Sequence, residues 1–273
     1  MKEIEANQKN WDSRVDIHKL SRKIYNIENF KKGDMSFVSN EYNELKEFIN
    51  PANHELLHLQ CHFGLDTISF SRLGAKATGV DFSGKAIELA KELSQEVGLD
   101  TQFVQSNIYL LDLDKEFDII FTSIGVLPWL PDLQKWAQIV SKHLKNGGIF
   151  YLKDGHPIIH AIDYDAKDPS ELKLKYPYFS DGKSFKYEEP YTYAHDGTDE
   201  LLEHSTHYEW QHTISDIVNA LISEGLRIIH MKESPYGYFK SFEFMSQDKD
   251  GRWVLPDEYR DSFPLTITII ATK

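Results

Sequence analysis

The stretch Glu55-Leu56-Leu57-His58-Leu59-Gln60-Cys61-His62-Phe63-Gly64-Leu65-Asp66-Thr67 decides the fold of this 273-residue chain. Its apolar run over 55–59 ends abruptly at a turn, and a helical pattern follows. A second apolar run over 75–80 ends on Asp81, about twenty residues beyond that turn. Strand, tight turn, helix, strand and terminal acid in this order are typical of a nucleoside site. The polar middle of the ligand lies over the turn, and its ribose hydroxyls meet the acid.

The rest of the chain keeps alternating between apolar strand patterns and amphipathic helix patterns. Continuous apolar strands between such helices favour a parallel sheet that is covered on both faces. The predicted strands cover 55–60, 75–81, 102–106, 117–123, 149–154, 227–232 and 265–271, and the predicted helices cover 41–49, 65–73, 84–97, 132–144 and 214–223. After the fifth strand, a segment rich in proline and tyrosine interrupts this alternation of strands and helices. Within it, 191–193 and 205–210 are predicted to be strands of a hairpin or small sheet.

These motifs resemble those of the class I S-adenosylmethionine-dependent methyltransferases. Residues 57–67 are similar to the first motif of a small-molecule branch, and Gly79-Val80-Asp81-Phe82-Ser83 is similar to the second methyltransferase motif. The resemblance implies an α/β fold with a doubly wound, mostly parallel, Rossmann-like sheet of seven strands, the last inserted antiparallel. It also implies an N-terminal helical cap (1–50), a cofactor-binding core (51–157 and 211–273) and an inserted lid after strand five (158–210).

The resemblance implies S-adenosylmethionine as the cofactor, with S-adenosylhomocysteine as the product. The usual first motif reads acid-x-Gly-x-Gly-x-Gly, and we assign its key positions to Gln60, His62, Gly64 and Asp66, which leaves no acid at its start. His62 either hydrogen-bonds the ligand or caps the turn. Asp81 is expected to accept hydrogen bonds from the ribose. The residues predicted to bind the cofactor are Gln60, His62, Gly64, Asp81, Phe82, Ser83, Asn107, Ile108 and Ser123.

Two other functions share parts of this pattern. A nucleotide-dependent oxidoreductase needs a glycine-rich turn that places a pyrophosphate on a helix N-terminus. Here the turn has bulky His62 and Phe63, and Asp66 repels a pyrophosphate but tolerates a sulfonium and an ammonium group. A non-catalytic cofactor-binding or scaffold protein would keep the sheet and lose the acceptor pocket.

The acceptor side has no obligatory signature, because methyl transfer is an in-line displacement that needs a base only for a protonated nucleophile. His156, after the fifth strand, is the candidate for the catalytic polar or basic group, and its alternative role is structural. The residues predicted to contact the substrate are Trp11, Tyr25, Trp129, His156 and Tyr191, and packing is the alternative role of the first three.

The resemblance implies a small-molecule acceptor, and the composition argues against nucleic acid as a partner. The net charge is −13, from 30 basic and 43 acidic residues, and such a surface disfavours nucleic acid because binding to it relies on neutralising phosphates. No stretch approaches the roughly 18 apolar residues of a membrane span, and the N-terminal residues lack the apolar core of a signal peptide. The sequence leaves the oligomeric state open.

The single cysteine, Cys61, excludes a disulfide framework and a cysteine-based zinc site, and it fits a cytoplasmic location. His204 and His207 are three positions apart on a predicted strand, so their side chains should point to opposite faces. We therefore expect no metal site.

Overall fold

The computed structural model describes residues 2–36, 38–179 and 181–273, and a seven-stranded sheet forms its centre. The strands in chain order are β1 (Glu55–Leu59), β2 (Lys76–Asp81), β3 (Gln102–Gln105), β4 (Phe117–Ser123), β5 (Leu144–Gly155), β6 (Ser184–Glu188), β7 (Thr206–Trp210), β8 (Arg227–Ser234), β9 (Tyr236–Gly237), β10 (Ser246–Gln247), β11 (Trp253–Val254) and β12 (Thr266–Thr272). The central sheet has the order β3-β2-β1-β4-β5-β12-β8. Strands β1 to β5 pair in parallel, and β12 pairs antiparallel with both β5 and β8. The predicted α/β fold with its antiparallel last strand is confirmed.

Helices cover both faces of this sheet. They are α1 (Lys2–His18), α2 (Ile27–Lys31), α3 (Val38–Leu45), α4 (Leu65–Arg72), α5 (Gly84–Glu96), α6 (Leu133–His143) and α7 (Ile214–Ser223). Side-chain caps set several starts: the hydroxyl of Ser83 accepts from the N–H of Ala86 at α5, and Thr213 and Asp216 form a capping box at α7. The predicted helix over 41–49 begins and ends earlier, at 38–45.

Two apolar layers hold the helices to the sheet. On one face, the buried Trp136 of α6 packs edge-on against Phe150 of β5, with ring centroids 5.5 Å apart. On the other face, Val15 and Phe30 from the N-terminal region join the cluster of Ile68 and Phe103. Each such fully buried side chain stabilises the fold by about 1.5–3 kcal/mol. The N-terminal helices are therefore part of the core beside the first turn.

The predicted hairpin exists, but one of its strands lies elsewhere. Strand β7 pairs antiparallel with β6, in a register that joins Ser184 to Trp210 and Glu188 to Thr206. The prediction of a strand over 191–193 is wrong, because Pro190 has no N–H to donate and β6 already occupies the open side of β7. Residues 191–193 form a loop instead.

This hairpin packs against the N-terminal helix. The side-chain amide of Asn7 donates to the carbonyl of Tyr208 at 2.8 Å and accepts from its N–H at 2.7 Å. Farther along, the Asp196 carboxylate accepts from the hydroxyl of Ser21 at 2.9 Å. The segment after β5 is thus joined to α1 and to the turn that follows it.

His207 and His204 lie in different surroundings. His207 is buried in β7 and stacks on Tyr187, whereas the side chain of His204, before the strand, is about half exposed.

Within the described parts of the chain, no helix combines the length and the apolar character needed to cross a membrane.

Candidate active site

A cavity of about 370 Å³ opens at the carboxyl ends of β1, β2, β3 and β4, where ligands bind in open parallel sheets. Most of the predicted site residues line it, namely Gln60, His62, Gly64, Asp81, Phe82, Asn107, Ile108, Ser123, Trp11, Tyr25 and Trp129. Ser83, His156 and Tyr191 are not among the lining residues. The structure therefore gathers the predicted cofactor residues and part of the predicted acceptor wall around one space.

The turn after β1 adopts an unusual backbone for its residue types. Gln60, His62 and Gly64 all have positive φ, at 57°, 51° and 75°. Such a conformation favours glycine and costs side-chain-bearing residues about 1–3 kcal/mol each. These three residues therefore occupy the three glycine positions of the first motif, and the acid position falls on His58. Our assignment of that position to Gln60 was wrong by two residues.

Three buried polar atoms, one at the end of β1 and two in this turn, lack a hydrogen-bond partner among the described residues. They are Nε2 of His58, Oε1 of Gln60 and Nδ1 of His62. Buried polar atoms are nearly always partnered, and all three residues line the cavity. Burial lowers the pKa of His58 to about 3, so its imidazole is neutral. The site thus offers neutral hydrogen-bonding groups where the usual motif has an acid.

Asp81, at the end of β2, ties the turn together and faces the cavity. Its carboxylate accepts from the N–H of His62 at 2.8 Å and from the N–H of Ser83 at 2.9 Å. Burial raises the pKa of Asp81 to about 6. Each carboxylate oxygen has a further lone pair, so the ribose role predicted for this residue is compatible with both bonds.

Ser83 itself has a structural position. Its hydroxyl accepts from the N–H of Ala86 at 3.1 Å and donates to Asp12 at 2.6 Å, and the side chain is fully buried. We therefore remove Ser83 from the proposed cofactor contacts. Its two bonds instead cap α5 and connect that helix to α1.

Asn107, a predicted cofactor residue, also caps a turn. Its Oδ1 accepts from the N–H of Tyr109 at 3.0 Å, which caps a short 3₁₀ turn over Ile108–Leu110. Asn107 and Ile108 also line the cavity. Because an amide oxygen has two lone pairs, Asn107 can cap the turn and still accept from an adenine amino group.

The loop after β4 is held by a residue to which the sequence analysis gave no role. The carboxylate of Asp154, at the end of β5, accepts from the N–H groups of Gly125 at 2.5 Å, Val126 at 2.9 Å and Leu127 at 2.8 Å. This residue is 1% exposed, so these bonds are shielded from water. They fix the loop that brings Trp129 to the cavity. The position of Asp154, an acid at the end of an apolar strand, is the feature of the sequence that could have indicated this role.

His156 and Tyr191 lie outside the cavity, which overturns our placement of both beside the acceptor. Nδ1 of His156 accepts from the N–H of Ile158 at 3.1 Å, and its Nε2 lies 2.8 Å from Oε1 of Glu233. Pro157 begins a 3₁₀ turn immediately after it, and His156 caps that turn. Tyr191 is 46% exposed. His156 therefore has no nitrogen left for a substrate.

We expect His156→Ala to leave S-adenosylhomocysteine affinity within twofold and to lower the free energy of unfolding by about 1 kcal/mol, the effect of losing a cap. Calorimetric titration and urea denaturation measure the two quantities. Glu233→Gln, which keeps the cap, is the matched control and should change neither. A folded His156→Ala protein that binds the nucleoside poorly would return His156 to the site.

Aromatic side chains from distant segments wall the cavity. The Trp11 ring lies 5.1 Å from those of both Trp129 and His62, and the Tyr25 hydroxyl lies 2.5 Å from that of Tyr193. Tyr193, Tyr238 and Phe239 also line the cavity, and the sequence analysis assigned none of them a role. A tyrosine or phenylalanine in a loop has no sequence pattern that would predict that it lines a cavity.

The charged side chains among the described lining residues of the cavity are all acidic. The lining includes the carboxylates of Asp34, Asp66, Asp81 and Asp250, and among the described lining residues there is no lysine or arginine. Burial raises the pKa of Asp66, which indicates a poorly solvated carboxylate. A nucleoside with a sulfonium and an ammonium group fits such a space, whereas a pyrophosphate does not.

Comparisons with known proteins agree with this geometry. Residues 57–152 match the family model described as methyltransferase domain. The ubiquinone biosynthesis O-methyltransferase of Pelagibacter ubique (strain HTCC1062) is 31% identical over 100 residues, which are 37% of this chain and 41% of that relative. The chain thus spans about two fifths of the length of that curated relative.

Solved structures extend the similarity over most of the chain. An S-adenosylmethionine-dependent methyltransferase from Mesorhizobium loti has a TM-score of 0.57 at 18% identity, and the match covers 89% of this chain and 100% of that one. The glycopeptide N-methyltransferase MtfA, solved with S-adenosyl-L-homocysteine, has a TM-score of 0.55 at 16% identity, over 88% of this chain and 92% of that one. The chain therefore has the fold of S-adenosylmethionine-dependent methyltransferases, and its residues 57–152 are similar to the methyltransferase domain family.

Proposed function

We propose that this protein is an S-adenosylmethionine-dependent methyltransferase that acts on a small molecule. One observation supports this most strongly: the Asp81 carboxylate and the left-handed turn over 60–64 border one cavity that is lined by acids and aromatic rings. Acidic lining suits a cationic cofactor, and the aromatic wall suits a small, partly apolar acceptor.

The chain offers groups for each part of the cofactor. Asp81 accepts from the ribose hydroxyls, while Phe82 and Ile108 provide apolar contact for the adenine and Asn107 accepts from its amino group. Gln60 and His62 face the amino-acid end. When bound, S-adenosylmethionine supplies the methyl group, which its sulfonium makes electrophilic.

The acceptor side works by position and by exclusion of water. Trp11, Tyr25 and Trp129 form a wall next to the end of β4, and Asp154 fixes the loop that carries Trp129. A wall of this kind orients an acceptor for in-line attack. The acidic lining and the net charge of −13 argue against nucleic acid as the acceptor. The relatives named O- and N-methyltransferases support methylation without choosing the atom.

We retain three parts of the chain as a proposed organisation: the N-terminal helical cap (1–50), the core (51–157 and 211–273) and the insertion (158–210). The cap supplies Trp11 and Tyr25, and the insertion supplies Tyr193, whose hydroxyl meets that of Tyr25. The acceptor should therefore contact both parts. A cytoplasmic location is also proposed, because the single cysteine is buried and unpaired.

Calorimetric titration with S-adenosylmethionine, S-adenosylhomocysteine and NADH tests the proposal. We expect micromolar binding of both sulfur nucleosides and no binding of NADH. Binding of NADH alone would favour a nucleotide-dependent oxidoreductase. Failure of all three to bind would favour a scaffold protein. After a positive result, transfer of a labelled methyl group to candidate small molecules identifies the acceptor.

A further inference from the structure

A chain of buried hydrogen bonds runs from the N-terminal helix through the insertion to the cofactor turn. Nε2 of His62 lies 2.9 Å from Nδ1 of His18, and Nε2 of His18 lies 2.6 Å from Oγ1 of Thr192. Arg14 donates to the same Oγ1 at 3.2 Å. Of these groups, Arg14, His18 and Thr192 are buried, and His62 reaches the cavity. This series of hydrogen bonds therefore leads from the protein interior to His62, whose side chain lines the cavity.

Both histidines are neutral, so each carries one ring proton. Burial, together with the charge of Arg14, lowers the pKa of His62 to about 3. Burial also lowers the pKa of His18 well below its usual range, with His62 and Arg14 adding to the effect. A neutral imidazole donates through one nitrogen and accepts through the other. Once the donor in the hydrogen bond between Thr192 and His18 is known, the donor in the bond between His18 and His62 follows.

Thr192 sets that direction. Its oxygen accepts from Arg14, and its own proton needs an acceptor because the residue is 3% exposed. In the described parts of the chain, Nε2 of His18 is the acceptor available to that proton. His18 then carries its proton on Nδ1 and donates it to Nε2 of His62. This arrangement puts the proton of His62 on Nδ1, the buried atom without a partner.

We propose that His62 uses this Nδ1–H as a donor to the carboxylate of the cofactor's amino-acid end, and that His18 and Thr192 are positioning residues that select the required tautomer. This inference rests on the proposed function. Because no lysine or arginine is found among the described lining residues, a carboxylate in the cavity depends on neutral donors. His62 is one of the residues that line that space.

Long-range proton–nitrogen NMR of histidine-labelled protein tests the tautomer without any ligand. We expect the His62 ring to be protonated at Nδ1, with Nε2 as acceptor. His62→Asn identifies the signals, because asparagine tolerates the left-handed conformation. Protonation at Nε2 in the unmodified protein overturns the inference, whatever the protein binds.

Thr192→Val and Thr192→Ser test the positioning role. The valine variant should lose the single tautomer, and the serine variant, which keeps the hydroxyl, should restore it. We expect Thr192→Val to bind S-adenosylhomocysteine roughly tenfold more weakly. Binding of methylthioadenosine, which lacks the amino-acid end, should change less than twofold. Equal losses for both nucleosides, or no loss for either, overturn the carboxylate assignment. If the unmodified protein binds neither nucleoside, the proposed function fails, and the NMR result still decides the tautomer.

Discussion

Asp81→Asn should weaken S-adenosylhomocysteine binding by roughly 10- to 100-fold, the effect of losing hydrogen bonds to a buried charged group. The amide has one oxygen for the N–H groups of His62 and Ser83, and its NH₂ group opposes one of them. The variant therefore loses the ribose acceptor and loosens the turn at once. Calorimetric titration of the folded variant measures the change.

Asp34→Asn is the matched control for this substitution. It removes the same charge from the lining of the same cavity, at an exposed position. We expect less than a threefold change in affinity. Equal weakening by both variants would mean that the cavity responds to total charge, and the specific role of Asp81 would be lost.

Protonation of Asp81 should affect nucleoside binding and protein stability in opposite directions. Burial raises the pKa of Asp81 from its ordinary value to about 6, so the folded protein holds this proton more tightly than the unfolded chain does. Its contribution to stability is thus complete below about pH 4 and is lost as the pH rises through about 6. Nucleoside binding needs the ionised carboxylate, so affinity should fall by up to about tenfold per unit below pH 6. Asp81→Asn should remove this dependence.

Asp154→Asn should lower the free energy of unfolding by about 3 kcal/mol, because it leaves buried donors without an acceptor. Oδ2 of Asp154 accepts from the N–H groups of both Val126 and Leu127, and an NH₂ group in its place would oppose both. Urea denaturation with an unchanged m-value measures the loss. Nucleoside affinity should also fall, since Gly125 and Val126, whose N–H groups Asp154 holds, line the cavity.

Asp112→Asn provides the comparison for this change. Asp112 is an exposed acid, and its bond to Lys142 joins two solvated side chains. Its replacement should change stability by less than about 0.5 kcal/mol. If Asp154→Asn were as stable as Asp112→Asn, the backbone groups of the loop would need acceptors other than Asp154.

The sequence predicted the elements of the sheet and most of the proposed cofactor residues that line the cavity, because both depend on local patterns. Apolar runs end where strands end, so Asp81, Asn107 and Ser123 could be placed at one edge before any contact was known. The register of the first motif was misjudged, because it depends on backbone dihedral angles. Positive φ at Gln60 and His62 puts residues with side chains where glycines were expected.

His156 shows the limit of reasoning from position along the chain. It follows the fifth strand, as an acceptor residue would, but its two nitrogens are used by Ile158 and Glu233. Glu233 lies 77 residues away in the sequence, and its contact follows from the pairing of β12 with β5 and β8. No spacing rule in the sequence indicates that pairing partner.

The sequence by itself predicted the strands and helices of the sheet and the edge at which a ligand would lie, because hydrophobic periodicity and turn residues act over short distances. Only the tertiary structure decided what encloses that ligand. Arg14 and Thr192 meet across 178 positions, and His18 and Thr192 across 174. Such contacts depend on how α1 and the insertion pack together. The tautomer that we propose for His62 depends on that packing.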